Sequence, residues 1–547
     1  MKKHILSLFV LVMFISGCSI TGKVISQPPP EQGVSLSVFE GIIAYGEEDE
    51  SPSYRLFNKG IIGIEETASN IGGQPDWIEL APGPGGNLLM ATLDESHDVN
   101  AQLWDGETWL DRVELTSASK NSYHAFDAAY ESRSGDAMVV YTDLSGLSSE
   151  DMIPRYNIYD GKWSEQLRAN SVNGFIYTIG MASNPVRDEM MLVTNDIVSD
   201  LNVQVWDGDK WGDVTELTSN SYNVGQPFDI AYESLSGRGL IAFTDKKSKN
   251  VYYAIVEDGV VGEVMPGPDL KEYGRMFSLI PDPKSDGMIL LVLDHGKDTH
   301  VLLWDGQAWE DLGEVATSSS AYTFMSMAGA YEASGDAVLV YSDSTNVPKY
   351  RILSDGKLSE EYGGPQLQNI PRWMEMAANP NTDEMMLVAN TFINHIDTLF
   401  WDGDKFHLTS ISTSDTTSKR GGVAVAYLPK SICGNGVVEE DEDCDLEDLG
   451  DQDCALQGFD GGELACGDDC SLYTSSCWTN SCGESDDGIE AGLKGVASGI
   501  YLGEEYSYTD SCLDVRSVVE YFCGGDMVFD IPHSCPFGTE CDEGACV

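Results

Sequence analysis

Between residues 227 and 274 the apolar positions gather into four short runs separated by polar punctuation. The first is Phe228-Asp229-Ile230-Ala231-Tyr232-Glu233, closed by Ser236-Gly237. The second runs from Gly239 to Asp245, and the third, Val251 to Val256, leads into Asp258-Gly259. A fourth run follows that turn. Short apolar runs bounded by Gly, Asp and Ser read as β-strands. The Ser-Gly and Asp-Gly connections are short enough that each must be a hairpin within one sheet. The chain therefore passes to the next sheet between the fourth run and the following first run.

This unit repeats. Trp206-Asp207-Gly208-Asp209-Lys210-Trp211 returns as Trp104 to Trp109, as Trp304 to Trp309 and, with a terminal Phe, as Trp401 to Phe406. Weaker copies lie between them at Lys59-Gly60, Asp160-Gly161, Asp258-Gly259 and Asp355-Gly356. Asp-Gly flanked by apolar residues predicts two-residue type I′ turns with positive φ at both positions. Eight such hairpins at a near-constant interval predict an all-β repeat fold, an eight-bladed β-propeller, or seven blades if one weak unit is a decoration. The first runs are rich in small residues (Ala128-Ala129, Ala182-Ser183, Ala328-Gly329-Ala330, Ala377-Ala378), as strands crowding a central axis require. Phe39 to Tyr45 matches a second run and Val423 to Tyr427 a first run, so one blade is expected to combine both ends of the repeat region and leave no open edge.

The tryptophans are expected to be staples between blades, with ligand platforms as the other reading. The turn resembles the Asp-box of sialidases, but there Asp and Gly are separated, and no arginine triad is found here. It also resembles the tryptophan-docking repeat of quinoprotein dehydrogenases, which spaces Gly and Trp one residue further apart. Neither resemblance brings an activity with it.

Met1-Lys2-Lys3-His4 followed by an apolar stretch to Ile15 reads as a signal peptide, 1–17, too short to span a bilayer. Ile15-Ser16-Gly17-Cys18 resembles the lipobox of prokaryotic lipoproteins, which implies acylation of Cys18; the other reading is an ordinary signal peptide with a chance cysteine. Residues 18–35 then form a tether and 36–430 the propeller. The chain carries 31 basic and 90 acidic residues, a net −59, which argues against nucleic-acid partners. An extracytoplasmic surface and a salty habitat both explain such acidity.

Twelve of the 13 cysteines lie beyond residue 430. Cys433-Gly434-Asn435-Gly436 through Cys444-Asp445 resembles a Cys-rich repeat of secreted myxobacterial and related proteins, with Asp441 where that family has Gly. Cys433, Cys444, Cys454, Cys466, Cys470 and Cys477 complete a first module, 431–480. Cys482, Cys512, Cys523, Cys535, Cys541 and Cys546 form a second, 481–547, which resembles a tail module of secreted proteins from small-genome archaea. Disulfides are favoured over zinc, since Cys466 and Cys470 have no second compact pair; the pairing within each six stays open. Glu439, Glu442 and Asp445 offer oxygen ligands for Ca²⁺, or are simply a solvated acidic loop.

Candidate chemistry is sparse. The eight histidines form no ligand pair at helical spacing, and there is no metalloprotease, esterase or phosphate-loop motif. The expectation is a binding protein and not an enzyme: a lipid-anchored surface propeller whose partner is a surface protein or polysaccharide. A scaffold in envelope assembly, or a secreted glycosidase or lyase, are the alternatives. One register suggests a site. An acid or amide ends the second run of each unit: Glu47, Asp94, Asp143, Asn195, Asp245, Asp294, Asp343 and Asn390. These eight are expected on the long-loop face, either capping their own turns or forming a ring that binds Ca²⁺ or a polyhydroxylated or basic ligand.

Overall fold

The computed structural model describes residues 39–547, apart from 48–49, 121–123, 146–151, 223–224, 320–323, 410–420, 429–442, 445–448, 450–451, 468–469 and 487. From Gly41 to Tyr427 the described chain forms antiparallel sheets of four or five strands, eight in all. Their innermost strands are Pro75–Pro82, Phe126–Tyr130, Ile176–Ser183, Phe228–Tyr232, Gly274–Pro281, Met327–Tyr331, Pro371–Ala378 and Val423–Tyr427. Each packs against the next, and Val423–Tyr427 packs against both Pro371–Ala378 and Pro75–Pro82, which returns the series to its start. The fold is all-β and propeller-like.

Closure uses both ends of the repeat region, as the sequence suggested. Val423–Tyr427 pairs antiparallel with Gly41–Tyr45, in register from Gly41 opposite Tyr427 to Tyr45 opposite Val423. Val423–Tyr427 thereby covers the inner edge that Gly41–Tyr45 would otherwise leave open.

Two kinds of sheet alternate, and their turns differ from the expectation. At the weaker copies Lys59-Gly60, Asp258-Gly259 and Asp355-Gly356, both residues have positive φ, near 48° and 72–75°. Asn58 pairs with Ile61, Glu257 with Val260 and Ser354 with Lys357, so these are true two-residue type I′ turns. The Trp-Asp-Gly turns are longer. Trp104 pairs with Trp109 and Trp401 with Phe406, leaving four residues in the loop. Only the glycine is left-handed there, at φ 99° in Gly106 and 89° in Gly403. The aspartate does a different job: Asp105 Oδ1 accepts the N–H groups of Glu107 and Thr108 at 2.9 and 2.7 Å. Asp207, Asp305 and Asp402 repeat this contact. A side chain that closes its own turn needs no positive φ.

The tryptophans are buried staples. Trp104, Trp304 and Trp401 are each 1% exposed. Each turn pair meets a tyrosine of the preceding sheet: Tyr54 lies 5.6 Å from Trp104, Tyr156 5.8 Å from Trp206, Tyr253 5.5 Å from Trp304 and Tyr350 5.7 Å from Trp401. Edge-to-face aromatic packing adds to the area buried. The indole N–H is also used. Trp304 donates to Glu233 at 2.8 Å and Trp401 to Glu332 at 2.6 Å, and Trp206 donates to Glu131.

These staples differ in one respect that is measurable. Arg238 holds Glu233 through Nε at 2.7 Å and Nη2 at 2.8 Å. Glu332 has no lysine or arginine partner among the described residues, and burial raises its pKa. Trp401→Phe is therefore expected to cost about 2 kcal/mol or more, because it leaves a buried carboxylate short of a donor. Trp304→Phe, with Arg238 still in place, is expected to cost about 1 kcal/mol. Urea unfolding of both variants checks the order.

In the cysteine-rich tail, Cys444–Cys466 and Cys454–Cys477 close the first module. Cys482–Cys523, Cys512–Cys541 and Cys535–Cys546 close the second. Cys470 is also disulfide-bonded. These bridges exclude zinc at the same sulfurs. Cys18 and Cys433 lie outside the described residues, as do Glu439, Glu442 and Asp445, the residues expected for Ca²⁺.

Candidate functional site

The acids at the ends of the second runs serve their own turns. Asp94 is fully buried and its Oδ1 accepts the N–H groups of Ser96 and Asp98, both at 2.9 Å. Asp294 accepts Asp298 N–H at 2.9 Å and meets His300 Nε2 at 3.2 Å. Asp143, Asp245 and Asp343 accept the N–H two residues on, at 2.9, 2.8 and 3.1 Å. Glu47 takes the Ser53 hydroxyl at 3.3 Å. Asn195 donates to the Tyr222 carbonyl, and Asn390 Oδ1 accepts from Arg372 at 3.4 Å.

These eight positions do not share one register. Asp94 pairs with Pro75 and Asp294 with Gly274, at the start of the innermost strand. The residues that occupy this place in the other two sheets of the same kind are Asp196, opposite Ile176, and Thr391, opposite Pro371. Asn195 and Asn390 lie one residue earlier, and a one-residue step turns a side chain to the other face of the sheet. Asp196 indeed repeats the Asp94 contacts, accepting from Val198 at 3.0 Å and Asp200 at 2.9 Å. Burial pushes both aspartates up to about 6.

A different group of ionisable side chains converges one strand further in. A cavity of about 280 Å³ is lined by Glu79, His124, Asp127, Asp229 and Glu375, with Trp77 and Trp373 in its wall. It lies where the innermost strands begin, since His124, Gln226 and Met325 each lie two residues before the start of one of them. That is the end at which the chain enters from the crossing segments, opposite the Trp-Asp-Gly turns.

The backbone fixes the two aspartates. Asp127 Oδ1 accepts Ala128 N–H and its Oδ2 accepts Met181 N–H on the next innermost strand, both at 2.7 Å. Asp229 repeats this with Ile230 at 2.9 Å and Leu279 at 2.7 Å. Each thus joins two neighbouring sheets at the axis. Burial nevertheless pushes both up to about 7, ahead of the lowering by those N–H groups.

The glutamates are held by side chains. His124 Nε2 lies 2.7 Å from Glu79 Oε1, and Trp373 Nε1 donates to Glu375 Oε1 at 2.9 Å. Burial opposes charge on His124, but Glu79 and the two aspartates outweigh it and raise its pKa. Glu375 is pushed well above the usual carboxylate range, first by burial and then by Glu79. Trp77 packs on His124 at 5.1 Å and edge-on against Trp373 at 5.5 Å.

Neither glutamate nor aspartate here was singled out from the sequence, although a signal was present. Phe126-Asp127 and Phe228-Asp229 hold one position of alternate units, and Trp77-x-Glu79 and Trp373-x-Glu375 another. A charge in the strand that should carry only small residues needs a reason.

Fold and site together define an all-β, propeller-like protein with a ligand-sized acidic and aromatic cavity at its axis. No known family pattern matches this chain, and no curated protein matches it. Among solved structures it is similar to the BP39L lectin from Burkholderia pseudomallei, at 11% identity and TM-score 0.45, covering 62% of this chain and 100% of that one. AztD from Citrobacter koseri matches at 9% identity and TM-score 0.43, covering 72% of this chain and 100% of that one. The lectin from Aleuria aurantia, described as a six-bladed propeller with a fucose recognition mode, matches at 14% and 0.31, covering 50% and 96%.

Proposed function

We propose that this chain is a lipid-anchored, extracytoplasmic, eight-bladed β-propeller that binds a surface polysaccharide, protein or small ligand at its axial cavity, and that it works by binding and not by catalysis. Eight sheets with a self-closing series of innermost strands support the blade count. The leader ending in Ile15-Ser16-Gly17-Cys18 supports the anchor. Five disulfides in a short acidic tail suit an oxidising, extracellular setting.

One observation carries the binding reading: side chains from four separate innermost strands, Glu79, Asp127, Asp229 and Glu375, line one cavity beside two tryptophans. Pockets that join aromatic walls to a few convergent polar groups are the usual form of ligand sites. The test is binding of purified full-length protein to an array of glycans and envelope polymers, beside the Glu79→Gln/Glu375→Gln variant. Loss of about tenfold or more in affinity is expected for that variant. Asp343→Asn, in a turn, is expected to bind as the wild type does. Equal binding by all three proteins would remove the cavity from consideration.

A further inference from the structure

The contents of the axial cavity narrow the ligand class, on the reading above that this cavity is the binding site. Its charges are one-sided. Four carboxylates face His124, and among the described residues no lysine or arginine lines the cavity. Asp127 and Asp229 use both oxygens on backbone N–H groups, so their structural role is complete. Glu79 and Glu375 are different. Each gives one oxygen to a neighbour, and no hydrogen bond among the described residues engages the other oxygen.

An acidic cluster by itself names no ligand, but the wall of this cavity adds an independent observation. Trp77 and Trp373 come from the innermost strands on either side of Val423–Tyr427 and meet edge to face. They fit only because residue 421 is glycine. A Cβ there would lie 2.5 Å from Trp77 and 3.3 Å from Trp373. Tryptophan beside a desolvated carboxylate is the environment that recognises an organic cation, by the ring quadrupole and by charge-assisted hydrogen bonds. A bare hard cation needs several oxygens at ligating distance, and among the described residues no three His, Cys, Asp or Glu side chains are so gathered.

We propose that the cavity binds a protonated amine, its ammonium group held by Glu79 and Glu375 with Trp77 and Trp373 as walls. The volume suits a small amine or the amino-sugar unit of a larger molecule. A positive ligand favours the ionised forms of Asp127, Asp229 and Glu375, whose pKa values burial raises, and the neutral form of His124 beside them, so binding releases protons to the buffer. Affinity therefore rises with pH.

The test is calorimetry of the purified full-length protein with three probes: butane-1,4-diamine, glucosamine and glucose. The last two differ by an ammonium in place of a hydroxyl. Heat with the diamine or glucosamine is expected, with none from glucose, and affinity is expected to increase by about tenfold from pH 5 to pH 7, where both amines stay largely protonated. The heat is expected to change between buffers of different ionisation enthalpy, and to be lost in Glu79→Gln/Glu375→Gln. Diamine without glucosamine identifies a free amine as the ligand; glucosamine without diamine identifies an amino sugar. Because those substitutions touch the core, near-ultraviolet circular dichroism establishes that the variant is folded, and the single Glu375→Gln serves if the double is not. Glucose bound as tightly as glucosamine, or amine binding that ignores pH, overturns the amine and leaves the cavity as the site. Amine binding unchanged in folded glutamine variants overturns both.

Discussion

Replacing Cys482 and Cys523 together by Ser is expected to unfold the second tail module while the propeller keeps its melting temperature. The module has little else to hold it. Between residues 481 and 547 the buried apolar side chains are Ala497, Val518, Ala545 and Cys546, whereas Leu493, Leu502, Leu513, Val515 and Phe537 are all exposed. Small domains with so thin a core depend on cross-links. Cys482–Cys523 spans 41 residues and ties the sheet beginning at Ser481 to the one containing Ser517–Gly524. Closing a loop of that length contributes about 4 kcal/mol by the chain-entropy account. Cys535–Cys546 spans 11 residues, and its loss is expected to cost about 3 kcal/mol. Ten of the 11 tryptophans precede residue 430, Trp478 being the exception, so indole fluorescence follows the propeller. Limited proteolysis follows the tail. Rapid cleavage after residue 480 with an unchanged fluorescence melt is the expected result, and a protease-resistant tail in the double variant would show that the core suffices.

The strand order, the hairpins and the pairing of the chain's two ends were legible because each is written locally, in turn residues and apolar alternation. The staple role of Trp304 was legible for the same reason, since a large aromatic at a fixed distance from a turn has one place to go. Its partner Glu233 was not: it lies 71 residues earlier, and only the packing of successive sheets brings the two together. The turn types were misread because Asp-Gly supports two geometries. Whether the aspartate takes positive φ or folds its carboxylate back depends on where the strands pair again, as Asp258 and Asp105 show. The proposed ring of acids failed at Asn195 and Asn390 for a related reason. Spacings between units vary by several residues, so a slip of one is invisible until the ladder is seen. The axial group was hidden by distance in sequence. Glu79 and Glu375 are 296 positions apart by number, and only closure of the series makes them neighbours of one cavity.

The buried acids also set how stability depends on pH. Asp127 and Asp229 lose their protons near pH 7 in the folded chain, against an ordinary value of 3.8. Between about pH 4 and pH 7 the native state therefore holds protons that the unfolded chain has released, and stability falls as pH rises through this window. Below it both states are protonated, and above it the full cost of two buried charges is present. His124 acts in the same direction, because its pKa is raised: its favourable pairing with Glu79 exists while it is protonated and is lost at higher pH. Each tenfold change in proton affinity is about 1.4 kcal/mol. Both aspartates line an open cavity, so solvent screening trims their joint contribution to a few kcal/mol. Asn at both positions cannot ionise, but it offers one acceptor oxygen where Asp offers two, and so gives up one backbone N–H contact at each site. Asp127→Asn/Asp229→Asn is thus expected to be less stable than the wild type at pH 5 and more stable at pH 8, with the two melting curves crossing between. Thermal unfolding measured every half unit from pH 4.5 to 8.5 decides the matter. Parallel curves would mean that these two carboxylates ionise in the folded protein as they do in the unfolded chain.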